Sequence, residues 1–234
     1  MMRFGSHQGE FVDMQYVGGA SGTIVNGQSI TLDISTIDIQ SGDLLIGVHV
    51  VGEDADRRSS MSLTSTGYTL ISSLYGNDTY DINLEVYGKI ADGTETNFIT
   101  AGGIISTASV GASLRVYRGP NAIPSTANGG LYNETTAGNT DDITWSEVTG
   151  IEQGNMLVYI GATGHVNSEP TYTDPGDLSD FNTFAESDSE DFTFGTGNKL
   201  ITTETSFSAA QWLVLAGGTT SSVASVILKL SYEL

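Results

Sequence analysis

The chain carries one sequence pattern twice. Ile30 to Ile46 reads ITLDISTIDIQSGDLLI, and Ile143 to Val158 reads ITWSEVTGIEQGNMLV. Ile30 and Thr31 match Ile143 and Thr144, Leu32 matches Trp145, Gln40 matches Gln153, Gly42 matches Gly154 and Leu45 matches Leu157, with one single-residue gap. Further on, Ala101-Gly102-Gly103 recurs as Ala216-Gly217-Gly218, and Leu114-Arg115-Val116 as Leu228-Lys229-Leu230. The offset of about 113 residues is far longer than the roughly 20–50 residue period of solenoids and propellers. A duplicated half-domain fits it: two similar sheets, each covering the apolar face of the other.

Local patterns name the elements. Ile30, Leu32 and Ile34 alternate with Thr31 and Asp33, as in a strand with one wet face. After the Ser41-Gly42-Asp43 turn, Leu44 to Val51 is a nearly continuous apolar run, the signature of a strand buried on both faces. Ile82, Leu84 and Val86 alternate with Asn83, Glu85 and Tyr87 up to the Asp92-Gly93 turn. Ala112, Leu114 and Val116 point one way, and Ser113, Arg115 and Tyr117 the other. Residues Asn121 to Asp142 read as a connector between the halves, and Val226, Leu228 and Leu230 share a face of the last strand. Short strands separated by turn signals, with no helical period, predict an all-β, jelly-roll-like sandwich over residues 22–234, in halves of about 22–120 and 121–234. Met1 to Ser21, with Phe4, Phe11, Met14 and Tyr16 at no clean period, read as an N-terminal arm, docked either on a neighbouring subunit or on its own domain.

Composition narrows the partners. The net charge of −20 disfavours direct binding to nucleic acid or to an anionic membrane. There is no cysteine, hence no disulfide framework and no thiolate metal site. No apolar run approaches the roughly 18–20 residues of a membrane-spanning helix, and the first residues, MMRFGSHQGEFVDMQ, carry no signal-peptide pattern.

The first half reads GDLLIGV, GYTLI, EVYGKIADGTE and ASLRVYRGP; the second reads GNMLVYI, an acidic loop and ASVILKLSYEL. This resembles a β-sandwich module of bacteriophage virion-associated proteins, whose pattern is GDLL(I/V), G-W-T-L, Y-Y-K-x-A-x-G-x-E and Y-R-G, followed by a weaker copy. The resemblance spans about Ile24 to Leu234. Tyr68 stands where tryptophan is usual and Gly88-Lys89 where Tyr-Lys is usual, and the second half has Phe181 to Phe184 near the place of the G-W-T. The resemblance implies a non-enzymatic structural virion protein: an exterior capsid decoration or cement protein binding capsid or tail subunits, homo-oligomeric in the particle, made in the host cytoplasm without a signal peptide. The alternatives are a tail or fibre component, or a carbohydrate-binding module for host attachment, with or without calcium. It carries over no catalytic, cofactor or metal residue.

Candidate sites outside the resemblance are few. His7, His49 and His165 are the only histidines; the repeat suggests that His49 and His165 meet at one end of the sandwich, while a lone strand histidine is more commonly a core or edge residue. Glu53, Asp54 and Asp56 form one acidic loop; Asp174, Asp177, Asp180, Glu186, Asp188, Glu190 and Asp191 form another. Together they present oxygens suited to calcium, or simply two self-repelling solvated loops. Trp145 and Trp212 read as core, which leaves Tyr75, Tyr80, Tyr87 and Tyr172 as possible sugar-stacking rings. No nucleophile elbow, phosphate loop or zinc-protease motif is present.

Overall fold

The computed structural model describes residues 14–24, 27–102, 104, 107–120, 122–138, 142–165, 172–174, 176–186, 191–213 and 222–231. All regular structure among them is β. In the first half these are β1 (Gln15–Ile24), β2 (Thr31–Asp33), β3 (Leu44–Gly52), β4 (Thr69–Gly76), β5 (Ile82–Ile90), β6 (Asn97–Ile99) and β7 (Ser109–Arg118). The second half repeats the series as β8 (Leu131–Ala137), β9 (Val148–Thr149), β10 (Met156–His165), β11 (Ser179–Glu186), β12 (Asp191–Leu200), β13 (Ser206–Phe207) and β14 (Ser222–Leu230).

The duplication is complete at the level of topology. One five-stranded sheet has the order β1-β7-β3-β5-β4, and the other, read from its β8 edge, has β8-β14-β10-β12-β11. Each half adds a two-stranded ribbon, β2-β6 and β9-β13. Every pairing is antiparallel. The large sheets pack face to face with their edges crossed, β1 against β11 and β4 against β8, and inside these β7 and β3 meet β12 while β14 and β10 meet β5. Exchanging the halves maps each of these contacts onto another, so the molecule has an internal pseudo-twofold axis.

This stacking explains why the long strands are apolar on both faces. Leu44, Ile46, Val48 and Val50 of β3 join Met156, Val158 and Ile160 of β10 in the core between the sheets. Leu45 and Val51 face outward into a second core, covered by Ile30, Leu32, Ile34 and Phe98. Leu157 and Tyr159 face outward into a third, covered by Ile143, Trp145, Val148 and Trp212. At roughly 1.5–3 kcal/mol per fully buried large apolar side chain, these three layers supply the main driving force for folding.

The turn before each central strand shows the repeat atom by atom. The backbone N–H of Gln40 donates to the Asp43 carboxylate, and that of Glu152 to the Asn155 side-chain oxygen. Gly42 N–H donates to the Ala91 carbonyl and Gly154 N–H to that of Ile201, at 2.9 and 2.8 Å. Both glycines hold positive φ, 96° and 87°, a region that side-chain-bearing residues rarely adopt. Gln40 therefore corresponds to Glu152, so the gap in the alignment falls earlier than the sequence match suggests. In β7 and β14, Arg115 pairs with Ile46, the third residue of β3, and Leu228 pairs with Val158, the third of β10. Arg115 thus corresponds to Leu228, one residue away from the Lys229 of the sequence repeat.

Two boundaries differ from expectation. In its described part, the arm proposed for Met1 to Ser21 is a strand of the body. β1 ladders along β7, and Met14 is only 2% exposed in the central core; residues 1–13, with Phe4, Phe11 and His7, lie outside the described residues. The Asn121 to Asp142 connector contains β8, the pseudo-symmetric mate of β1. Both are half-exposed edge strands, so their alternation is weak. Ala216-Gly217-Gly218 also lie outside the described residues.

Candidate functional site

The two described histidines do not converge. His49 lies on the outward face of β3 and His165 at the end of β10 on the outward face of the other sheet, so both large sheets stand between them. Counting along the central strands, the counterpart of His49 is Gly161, and that of His165 is Glu53. His49 is fully buried and neither ring nitrogen has a hydrogen-bond partner; burial holds its pKa down to about 3. The His165 Nε2 and the Thr193 hydroxyl lie 2.8 Å apart, and burial lowers this histidine to about 4. Both rings are therefore neutral, and neither faces solvent.

Glu85 is the cross-strand partner of His49 and is itself 3% exposed. It accepts hydrogen bonds from the Tyr87 hydroxyl and from Ser73 Oγ, and burial raises its carboxyl above the usual carboxylate range. The loop 53–61 closes over this row: the Arg57 guanidinium grips the Glu53 carboxylate, and its backbone N–H donates to Asn83 Oδ1 at 2.8 Å. Arg58 pairs with Asp56 and lies 5.8 Å from the centre of the Tyr75 ring. Asp54 is raised by burial and by the neighbouring Asp81. The acids of the first loop are thus taken up by arginines and backbone donors.

Of the second acidic group, Asp188 and Glu190 lie outside the described residues, as does the side chain of Asp191. Asp174 and Asp177 accept from the backbone N–H groups of Gly176 and Ala210. No set of three or more His, Asp or Glu side chains among the described residues is placed to hold a metal ion. Trp145 and Trp212 are core residues, 6% and 0% exposed, with ring centres 4.7 Å apart. Tyr87 and Tyr172 are buried as well, which removes them as sugar platforms and leaves Tyr75 and Tyr80, both half-buried.

Two concave features bear on binding. A groove of about 350 Å³ runs beside the β4 and β6 ends, lined by Thr64, Thr66, Thr94, Thr96 and Asn97 with the Lys89–Glu95 ion pair. The hydroxyl of Tyr68, also in its wall, is buried without a partner. A smaller cavity of about 100 Å³ opens between the edge strands β1 and β11, with Ser113 and Arg115 at its base and Tyr16, Ser21, Asn182 and Phe184 around it.

Arg115 is the functional candidate that strand reading of the sequence misses. It is 1% exposed and lies between the sheets, where Nη1 donates to Thr196 Oγ1 and Nη2 to the Asp180 carbonyl at 2.7 Å. The Tyr16 ring stacks on the guanidinium with 4.6 Å to its centre. Tyr117 donates to Asn198 at 2.6 Å and extends this polar patch. Asp180 is the only non-glycine residue with positive φ (50°) among the described residues, at a point where the β11 register shifts. The one signal in the sequence is a cation at an inward-facing position of a strand, in a chain with only 8 Lys and Arg.

No protein family matches the chain, and no curated protein or solved structure is similar to it.

Proposed function

We propose that this chain is a structural subunit of a bacteriophage particle, exposed on the exterior of the capsid or tail, where it binds neighbouring virion proteins. The observation that carries the reading is the duplicated four-layer stack, in which both faces of both large sheets are packed into apolar cores. Such a body is stiff and offers partners its rim: four edge strands, β1, β4, β8 and β11, and the loops between strands. Edge strands are ready sites for backbone pairing with another chain. The chain's resemblance to the phage module supports the same reading, and the net charge of −20 suits a surface that keeps particles apart. Specific contacts of this kind bury about 1,200–2,000 Å², and symmetry multiplies each modest contact by avidity.

The test is immunogold labelling and mass spectrometry of purified particles carrying the full chain or a chain lacking residues 1–13. That deletion spares β1. Labelled particles with the full chain, and loss of incorporation without loss of folding in the deletion, are the expected results. Recovery of the full chain only in the particle-free fraction overturns the proposal.

The hydroxyl-lined groove beside Tyr68 favours a second reading, host attachment through a neutral glycan. A glycan array probed with and without a chelator tests it: binding to a defined sugar that survives chelation and is lost in Asn97→Ala supports the reading, and a blank array removes it.

A further inference from the structure

We propose that the cavity between β1 and β11 binds a small carboxylate through Arg115. This inference does not depend on the virion reading. It begins with a buried guanidinium that forms no ion pair: the Asp180 carboxylate stands beside the site but accepts from Asn198 Nδ2 at 3.4 Å, not from Arg115. Arg57, Arg58 and Arg118 each form an ion pair with an aspartate or glutamate. Arg115, the most buried arginine described, forms none, although the chain has 28 acidic residues. Its two described hydrogen bonds go to neutral oxygens, and its buried Nε–H has no partner. A guanidinium taken out of water without an anion is costly, and an unmade hydrogen bond adds to that cost.

The pseudo-twofold axis supplies an internal control. The ladder positions that hold Gly19, Ser113 and Arg115 in this cavity, and Tyr117 and Thr196 beside it, hold Leu131, Val226, Leu228, Leu230 and Val86 at the other end of the same interface. There the same backbone is filled with apolar side chains that belong to the central core. The fold therefore requires no arginine here, and at Gly19 the place of a side chain is taken by the Leu114 carbonyl oxygen and the Tyr16 hydroxyl, 2.6 and 2.8 Å from where a Cβ would lie. The hydroxyls of Ser21 and Ser113, 2.8 Å apart, and the exposed Asn182 add donors around the opening. Thr196 and the strained Asp180 hold the guanidinium by its two terminal nitrogens, and Tyr16 covers one face. The planar fork is thus oriented before anything binds.

Carboxylate is the group this geometry suits. It is planar, matches the guanidinium edge and accepts charge-assisted hydrogen bonds. A dianion such as sulfate is repelled more strongly by a chain of net charge −20. About 100 Å³ holds a carboxylate with a short tail and excludes sugars and nucleotides. The carboxylate is either a free small acid or the end of a partner's acidic side chain.

Thermal unfolding of the full chain at pH 7 in sodium acetate, against sodium chloride of equal ionic strength, tests the site. A saturable, acetate-specific rise in Tm is expected. Glutamate blocked at both ends distinguishes the two sources: a rise at lower concentration than acetate assigns the site to a protein-borne carboxylate, and a weaker response assigns it to a free acid. Arg115→Leu, which copies the mate site, abolishes the rise. Asn182→Asp, at an exposed rim position, abolishes it too, because the new carboxylate repels the ligand or occupies the guanidinium itself. No saturable difference between acetate and chloride, or an equal rise in both variants, overturns the proposal.

Discussion

On the outward face of the first large sheet, His49, Glu85 and Tyr87 stand on β3 and β5; at the matching ladder positions of the second stand Gly161, Gly195 and Gly197. The covers compensate. Over the glycines lie large rings and chains: Trp212 and Trp145 approach Gly161, Trp212 and Tyr172 approach Gly195, and Leu178 and Phe181 approach Gly197. The exchange also runs the other way, since Gly47 lies under Phe98 while its counterpart, Tyr159, fills its own space. What the two halves share is that each layer is filled, not the residue that fills each position. Close packing demands the first and is indifferent to the second.

The strongest way to break this comparison is Leu45→Asp against Leu157→Asp. Both leucines are 0% exposed at equivalent outward positions, and a buried unpaired carboxylate costs several kcal/mol. Both variants are expected to be unfolded by circular dichroism; a folded variant in one half alone would show that the cores are unequal. Next, Trp212→Ala removes the ring that spans Gly161 and Gly195 and is expected to cost about 3–5 kcal/mol in denaturant melts.

The histidines sharpen the comparison through pH. Their folded pKa values, about 3 for His49 and about 4 for His165, lie below the ordinary 6.5. Below pH 6.5 the unfolded chain takes up protons that the folded chain refuses, so stability falls as pH falls. Each histidine contributes a slope of about 1.4 kcal/mol per pH unit, until pH reaches its folded pKa. Buried Glu85, whose carboxyl is raised, offsets part of this loss because its proton is favoured in the fold. Urea melts from pH 7 to pH 5 are expected to show the decline, and His49→Leu to remove about half of it. The smallest effect is Gly42→Ala and Gly154→Ala. Both sites have open space for a Cβ but positive φ, so each is expected to cost about 1–2 kcal/mol, equally and additively.

The fold was legible where burial is one- or two-sided and continuous. The alternation of β5 and β7, the doubly apolar β3 and the repeated turn at Gly42 and Gly154 all follow from residue pattern. The edge strands were not, because β1 reads QYVGGASGTI and β8 reads LYNETTA, half-exposed and short of large apolar residues. The sequence match of Leu114-Arg115-Val116 to Leu228-Lys229-Leu230 failed by one residue. In a strand that slip exchanges the faces, and it hid the pairing of a buried arginine with a buried leucine. The alternation set Arg115 opposite Ala112, Leu114 and Val116 but did not say which of the two faces lies between the sheets.

The turn from Thr126 to Gly129 is exposed, and the chain passes through it from one half to the other. Severing the backbone there would leave two fragments, each with one naked sheet surface that only its sister can cover. They should reassemble as a heterodimer when mixed. A chain of half this length would need a second copy to cover that surface, so the single chain is built as two tethered copies of one unit. Tethering lets the two ends of the seam differ, and one end holds a cation where the other holds leucine.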